Sequence, residues 1–287
     1  MPHTAANGIS LYYEVEGRGP SVAFIGGLGS DGHFWYKQTP ALARHFRVIT
    51  FDNRGAGRSE APDEPYTIRM LADDLAGLLD TLNVPVAHVV GASMGGFIAQ
   101  EFALAYPDRV ERLVLCCTSF GGPHSVPIPP ETVQSFLNRT GDPERDLRAS
   151  FAYQLKTDHA RAHARELDEY IAWRVAHPQS LVAYHRQLAA ASAHDTEGRL
   201  AAVQCPVLIL HGARDNVVPA GNADLLAAKI PGARVHLFAD AGHLFLWECA
   251  DEANRLIVEF LTAREPRFAA SQGGGTHATD RPRTSNL

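Results

Sequence analysis

Nowhere in this chain do roughly eighteen apolar residues run together, the length a bilayer-spanning helix needs, so no membrane segment is expected. The first twenty residues, MPHTAANGISLYYEVEGRGP, hold no basic patch followed by an apolar core. That argues against a secretory leader and for a cytoplasmic protein. Positive charge is in deficit: 26 Lys and Arg stand against 32 Asp and Glu, a net charge of −6, which argues against a nucleic-acid partner. Cysteine is scarce. Cys116, Cys117, Cys205 and Cys249 form neither a C-x-x-C pair nor a disulfide framework. Their apolar neighbours mark all four as buried thiols of a reducing compartment. His159 and His163 have the i, i+4 spacing of a zinc pair. No third ligand accompanies them, so they read as solvated helix residues and no metal is expected. Internal repeats are missing as well.

What is present is a chain of 287 residues, 45% of them hydrophobic, enough for one large core. Strand-like runs alternate with helix-like ones. The strands are ISLYYEVEG (9–17), SVAFIGG, FRVITFD (46–52), VAHVVGA, RLVLCCT, PVLILHG (206–212) and RVHLFA. The turn at Arg18-Gly19-Pro20 suggests that the first two form a hairpin. Leu71, Leu75, Leu78, Leu79 and Leu82 predict a helix over 66–82, and others are expected at 94–106, 219–230 and about 244–263. Such alternation implies a parallel sheet with helices on both faces. Residues 119–200 contain no clear strand. Leu167, Tyr170, Ile171 and Arg174, then Leu181, Tyr184, His185 and Leu188, mark amphipathic helices there. The expected organisation is a core of residues 1–118 and 201–265, a helical cap of 119–200 over the sheet's carboxyl edge, and a disordered polar tail, 266–287.

One stretch reads two ways. FIGGLGSDGHFW (24–35) places Gly27, Gly29 and Gly32 as G-x-G-x-x-G, with Asp52 twenty residues beyond. That outlines a dinucleotide-binding turn. The same backbone can instead hold an oxyanion. Two features favour the second reading. Phe34, Trp35 and Pro40 follow Gly32 too closely for a phosphate-binding helix, and Asp52 sits in FDNRGAGRS, where Asp and Arg brace a loop.

The most specific motif follows the strand VAHVV. GASMGG is G-x-S-x-G between a strand and a helix, a nucleophile elbow carrying Ser93. The turn is so sharp that residues two before and two after the serine must lack side chains. A serine hydroxyl needs a base and an orienting acid. His243 in ADAGHLFLWE and Asp215 in LHGARDNVVP both lie at strand ends, and the order Ser93, Asp215, His243 suits this architecture. Asp240 competes for the acid role but lies close in sequence to His243. Met94 N–H, just after the serine, is the first oxyanion donor.

These motifs together resemble the α/β-hydrolase superfamily, in its capped serine esterase and lactonase branch, similar to 3-oxoadipate enol-lactonases and related carboxylesterases. The likeness spans about residues 9–264. Gly26-Gly27 stands where members usually carry His-Gly. The serine at the elbow argues against dehalogenase or epoxide hydrolase chemistry, which use aspartate there. The resemblance implies an α/β-hydrolase fold with a mostly parallel eight-stranded sheet, and a Ser-His-Asp esterase or lactonase that needs no cofactor, acting on a small, largely apolar substrate. It adds Leu28 N–H as second oxyanion donor. Gly27, Trp35, Phe120, Tyr170, Trp173, Tyr184 and Leu244 are candidates for the pocket, and Arg139, Arg145, Arg148 or Arg174 for a substrate carboxylate. Perhydrolysis, C–C bond hydrolysis, a slow ligand receptor and a homodimer stay open.

Overall fold

The computed structural model describes residues 2–263. The expected tail, 266–287, lies outside them. In chain order the elements are β1 (His3–Ala6), β2 (Ile9–Glu16), β3 (Ser21–Ile25), α1 (Thr39–Leu42), β4 (Arg47–Phe51), α2 (Ile68–Thr81), β5 (Ala87–Ala92), α3 (Met94–Ala105) and β6 (Val110–Cys116). Five helices follow: α4 (Pro130–Leu137), α5 (Pro143–Gln154), α6 (Thr157–Ala162), α7 (Ala164–Ala176) and α8 (Leu181–Ser192). The alternation resumes with β7 (Val207–Gly212), α9 (Gly221–Lys229), β8 (Arg234–Phe238), α10 (Phe245–Glu248) and α11 (Ala250–Thr262).

The strands form one sheet in the order β1-β2-β4-β3-β5-β6-β7-β8. From β4 to β8 neighbours run parallel, while β2 and β1 join antiparallel. Central strands β5 and β7 are buried along their whole length. Burial on both faces is why they read as unbroken apolar runs. Alternation survives in what each face meets. Ala23 and Ile25 of β3 join the core under α2 and α3, while Val22 and Phe24 join the opposite core with Trp35, Phe46 and Ile257.

Helix α2 shows how local sequence sets an element. Thr67 caps it by accepting from Met70 N–H at 3.1 Å, and Leu71, Leu75, Leu78 and Leu79 form its buried stripe.

Three expectations are corrected, and one strand joins the seven read from apolar runs. Strands β2 and β3 do not pair as a hairpin, because β4 lies between them, antiparallel to one and parallel to the other. The eighth strand is β1, four residues with no apolar run to announce it. The last helix breaks at Cys249, whose φ of −127° is not helical. Cys116, Cys117 and Cys205 are buried, but Cys249 at that break is only partly so. Among the described residues no helix is long and apolar enough to cross a membrane.

Candidate active site

Ser93 ends the run from β5 and opens α3 with φ 55° and ψ −121°. A side-chain-bearing residue holds that conformation only where its surroundings impose it. Here Ser93 N–H donates to Cys116 O at 2.9 Å, and Ser93 O accepts from Gly96 N–H at 2.8 Å and Thr118 Oγ1 at 2.9 Å. Gly95 must be glycine, since a Cβ there would sit 2.1 Å from Ile25 O.

Asp215 lies in the loop after β7, almost wholly buried. Its Oδ1 accepts from Val217 N–H at 2.7 Å and Val218 N–H at 2.8 Å. Its Oδ2 accepts from His243 Nδ1 at 2.7 Å and faces His211 Nε2 at 3.2 Å. Burial would raise this carboxyl, but the charge of His243, with the hydrogen bonds of His211 and His243, pulls it down to about 2. A carboxylate on Nδ1 fixes the proton there and leaves Nε2 as the ring's acceptor. Asp240, by contrast, sits at the surface, paired with Arg214 at 2.8 Å.

Ser93 and His243 line one cavity of about 60 Å³ with Gly27, Leu28, Tyr184 and Leu244. It shares Leu28, Arg139, Tyr184 and Leu244 with a larger cavity of about 440 Å³ that Tyr170 and Trp247 also line. Cys117 borders the small cavity, but burial, Asp215 and Cys116 push its thiol well up, so it stays protonated beside Ser93.

The Gly27–Ser30 segment forms a β-turn closed by Ser30 N–H on Gly27 O at 3.1 Å, with Gly29 at φ +70°. A positive φ at the third turn position is the type II geometry that selects glycine. Gly27 and Leu28 border the small cavity beside Ser93. Met94 N–H belongs to the first turn of α3, where no helical acceptor exists. Asp52 does contact the third glycine of the motif: its Oδ1 accepts from Gly32 N–H at 2.7 Å, and Oδ2 accepts from Arg58. The twenty-residue spacing thus reports a loop brace. Gly32 opens only a four-residue 3-10 turn, and the dinucleotide reading has no phosphate-binding helix here.

The inserted helices touch both loops. Gly29 N–H donates to Gln187 Oε1 of α8 at 3.0 Å, and Arg174 of α7 donates to Gly29 O. On the histidine side, Leu244 N–H donates to Gln154 O of α5 at 3.1 Å. Glu248 accepts from Gly242 N–H and Lys156 N–H, each at 2.6 Å.

Several pocket candidates fall elsewhere. Trp35 is fully buried beneath the sheet, stacked on Phe24 at 4.6 Å. Its neighbour Phe34 lines the cavities instead, because successive residues of a 3-10 turn point about 120° apart. Phe120 packs into the core under α2 and α3. Trp173 lies on α7 with its ring stacked on His177 and tilted against His33, while Tyr170 and Arg174 face the larger cavity. Arg145 and Arg148 are exposed, the latter paired with Glu144 and Asp168. Arg139 lines both cavities, lies over the Tyr184 ring at 4.5 Å, and leaves its buried Nε without a hydrogen-bond partner. His159 is partly buried against His163, rings 4.0 Å apart, and burial, then the charges of His163 and Lys37, lower it to about 4, so it is less solvated than expected, while His163 is exposed. Among the described residues no group of three or more His, Cys, Asp or Glu side chains is arranged to hold a metal ion. Phe136, Ser150 and Gln154 also line the small cavity. Only their helical spacing in the insertion could have pointed to them.

A strained serine between a parallel strand and a helix, at the carboxyl edge of such a sheet, defines one broad class of protein. The chain belongs to it: the model of the α/β hydrolase fold family matches residues 20–250, which supports a hydrolase role. Its similarities reach particular members. It is 31% identical to a candidate carbamate hydrolase, RutD, of Azorhizobium caulinodans, over 91% of this chain and 98% of that one. It is 32% identical to a 2-hydroxy-6-oxononadienedioate/2-hydroxy-6-oxononatrienedioate hydrolase of Pseudomonas putida, over 88% and 92%. Among solved structures, the enol-lactonase of Burkholderia xenovorans LB400 superposes with a TM-score of 0.83 at 31% identity, over 91% of this chain and all of that one.

Proposed function

We propose that the protein hydrolyses a carboxylic ester or lactone by acyl transfer through Ser93. His243, its Nδ1 proton held by Asp215, takes the serine proton as Ser93 attacks the carbonyl carbon. Asp215 stabilises the imidazolium that forms. Met94 N–H and Leu28 N–H receive the tetrahedral oxyanion. The imidazolium then protonates the leaving oxygen, and water, activated by the same ring, releases the acid. The helices between β6 and β7 act as a cap that closes the pocket. The observation that carries this reading is the 2.7 Å pairing of His243 with Asp215 at a cavity shared with Ser93. Relatives named for a carbamate and an enol-lactone support a carbonyl substrate without choosing among its kinds.

The test is direct. Wild type cleaves short-chain p-nitrophenyl esters and is labelled by a serine-directed phosphonate at Ser93. Ser93→Ala lowers kcat on the order of 10⁴-fold. A label mapped to another residue overturns the assignment. Parallel assays with a carbamate and with a vinylogous 1,5-diketone acid separate ester hydrolysis from the other outcomes.

Arg139 favours one refinement, a substrate with a carboxylate. The buried Nε of Arg139 has no hydrogen-bond partner, and its side chain lines the same cavity as Ser93, so it can donate to a substrate anion there. Arg139→Gln therefore lowers kcat/KM for a monoester of a dicarboxylic acid about 10–100-fold. The neutral ester of the same length loses less than threefold. Equal losses for both esters would reject the anion site.

A further inference from the structure

The turn beside the serine is held from above. It has one internal hydrogen bond, Ser30 N–H on Gly27 O. Its central amide, between Leu28 and Gly29, directly follows the amide that carries Leu28 N–H, so fixing the one limits the movement of the other. That amide's N–H is the group Gln187 accepts at 3.0 Å. The following carbonyl, Gly29 O, is the group Arg174 grips. Both side chains are buried, Gln187 completely and Arg174 to 7% exposure. Each is itself fixed. Gln187 Nε2 donates to Arg54 O at 2.8 Å, and Gln179 donates to Gln187 Oε1 at 3.1 Å. Arg174 Nε lies 3.4 Å from Asp31 Oδ2, to which Trp173 Nε1 donates at 3.3 Å. Two separate helices thus hold the two backbone polar groups of one glycine.

We infer that Gln187 and Arg174 are positioning residues that keep the 27–30 turn in the form aiming Leu28 N–H at the oxyanion. Seating of α7 and α8 and completion of the oxyanion site are then one event. The inference rests on the proposed role of Leu28. Neither side chain touches the reacting atoms; both act through the turn. Misplacement of a reacting or stabilising group by about 1 Å can cost on the order of 10²-fold in rate.

The experiment compares Gln187→Leu in two backgrounds of the full chain, wild type and Leu28→Pro. Leu28→Pro removes the N–H and lowers kcat about 10²–10³-fold. In the wild-type background, Gln187→Leu lowers kcat about 10–100-fold with KM within about threefold. Binding of an aryl trifluoromethyl ketone, whose Ser93 adduct carries the oxyanion, weakens by the same factor. In the Leu28→Pro background, Gln187→Leu changes kcat less than about twofold, because the group it aims is gone. Arg174→Lys, which keeps the charge near Asp31, runs through the same two backgrounds if Gln187→Leu fails to fold. Equal losses in both backgrounds, or an unchanged kcat in wild type, overturn the inference. Wild-type activity in folded Leu28→Pro removes the oxyanion role itself, a different failure.

Discussion

At the scale of single residues, the site rests on close approaches between side chains and backbone. Ser93 is flanked by glycines because Gly95 cannot carry a Cβ beside Ile25 O. Asp215 and His243 follow strands because strand ends are where side chains meet across a parallel sheet. The structure joins the two at 2.7 Å and leaves Asp240 on Arg214 at the surface. Asp215→Asn therefore lowers kcat about 10³–10⁴-fold, since the amide selects the wrong imidazole tautomer, while Asp240→Asn stays within about twofold. Steady-state kinetics on one p-nitrophenyl ester checks both, and a reversed ranking shows the acid to be Asp240. Residue size was a poorer guide. Trp35, Phe120 and Trp173 are large and apolar, but size does not say which side of an element a ring faces. One step along a 3-10 turn separates Phe34 in the cavity from Trp35 in the core.

At the scale of elements, periodic leucines predict α2 and unbroken apolar runs predict the central strands. Pairing partners are another matter. That β4 enters between β2 and β3 depends on contacts between strands, which no local stretch encodes. Strand β1 has four residues, too few for a period. The elbow is the element most intolerant of change. In Gly95→Ala the new methyl meets Ile25 O at 2.1 Å, so strand β3 or helix α3 must move. That overpacking costs roughly 1–3 kcal/mol, or a melting temperature several degrees lower for a domain of this size. Calorimetry of the variant reads it, and an unchanged Tm shows that the turn can relax.

At the scale of the whole molecule, two buried histidines add to the response to acid. His88 and His194 are each pushed down to about 4, chiefly by burial. Unfolded, both protonate near 6.5. Between those values the unfolded chain binds protons that the folded one refuses, so acid favours unfolding. Their contribution is intact above pH 6.5, falls as the pH drops, and is spent near pH 4. At pH 5 each histidine accounts for about 2 kcal/mol of lost stability relative to pH 7. Urea unfolding at the two pH values measures the loss. His88→Gln and His194→Gln each shrink it by about that amount, and an undiminished loss in both places the acid sensitivity elsewhere.

The inserted helices grip the molecule at two places, Gly29 on the serine side and Leu244 with Gly242 on the histidine side. In engineering terms, this segment is not an interchangeable attachment. A chimera that takes its residues 119–200 from a relative to change substrate preference also discards Gln187, Arg174, Gln154 and the Lys156 amide. Such a graft trades away turnover along with selectivity unless the donor segment brings equivalent contacts. Transplanting the Gly27–Asp31 and Ala241–Glu248 loops together with the helices that hold them keeps the matched parts in one piece.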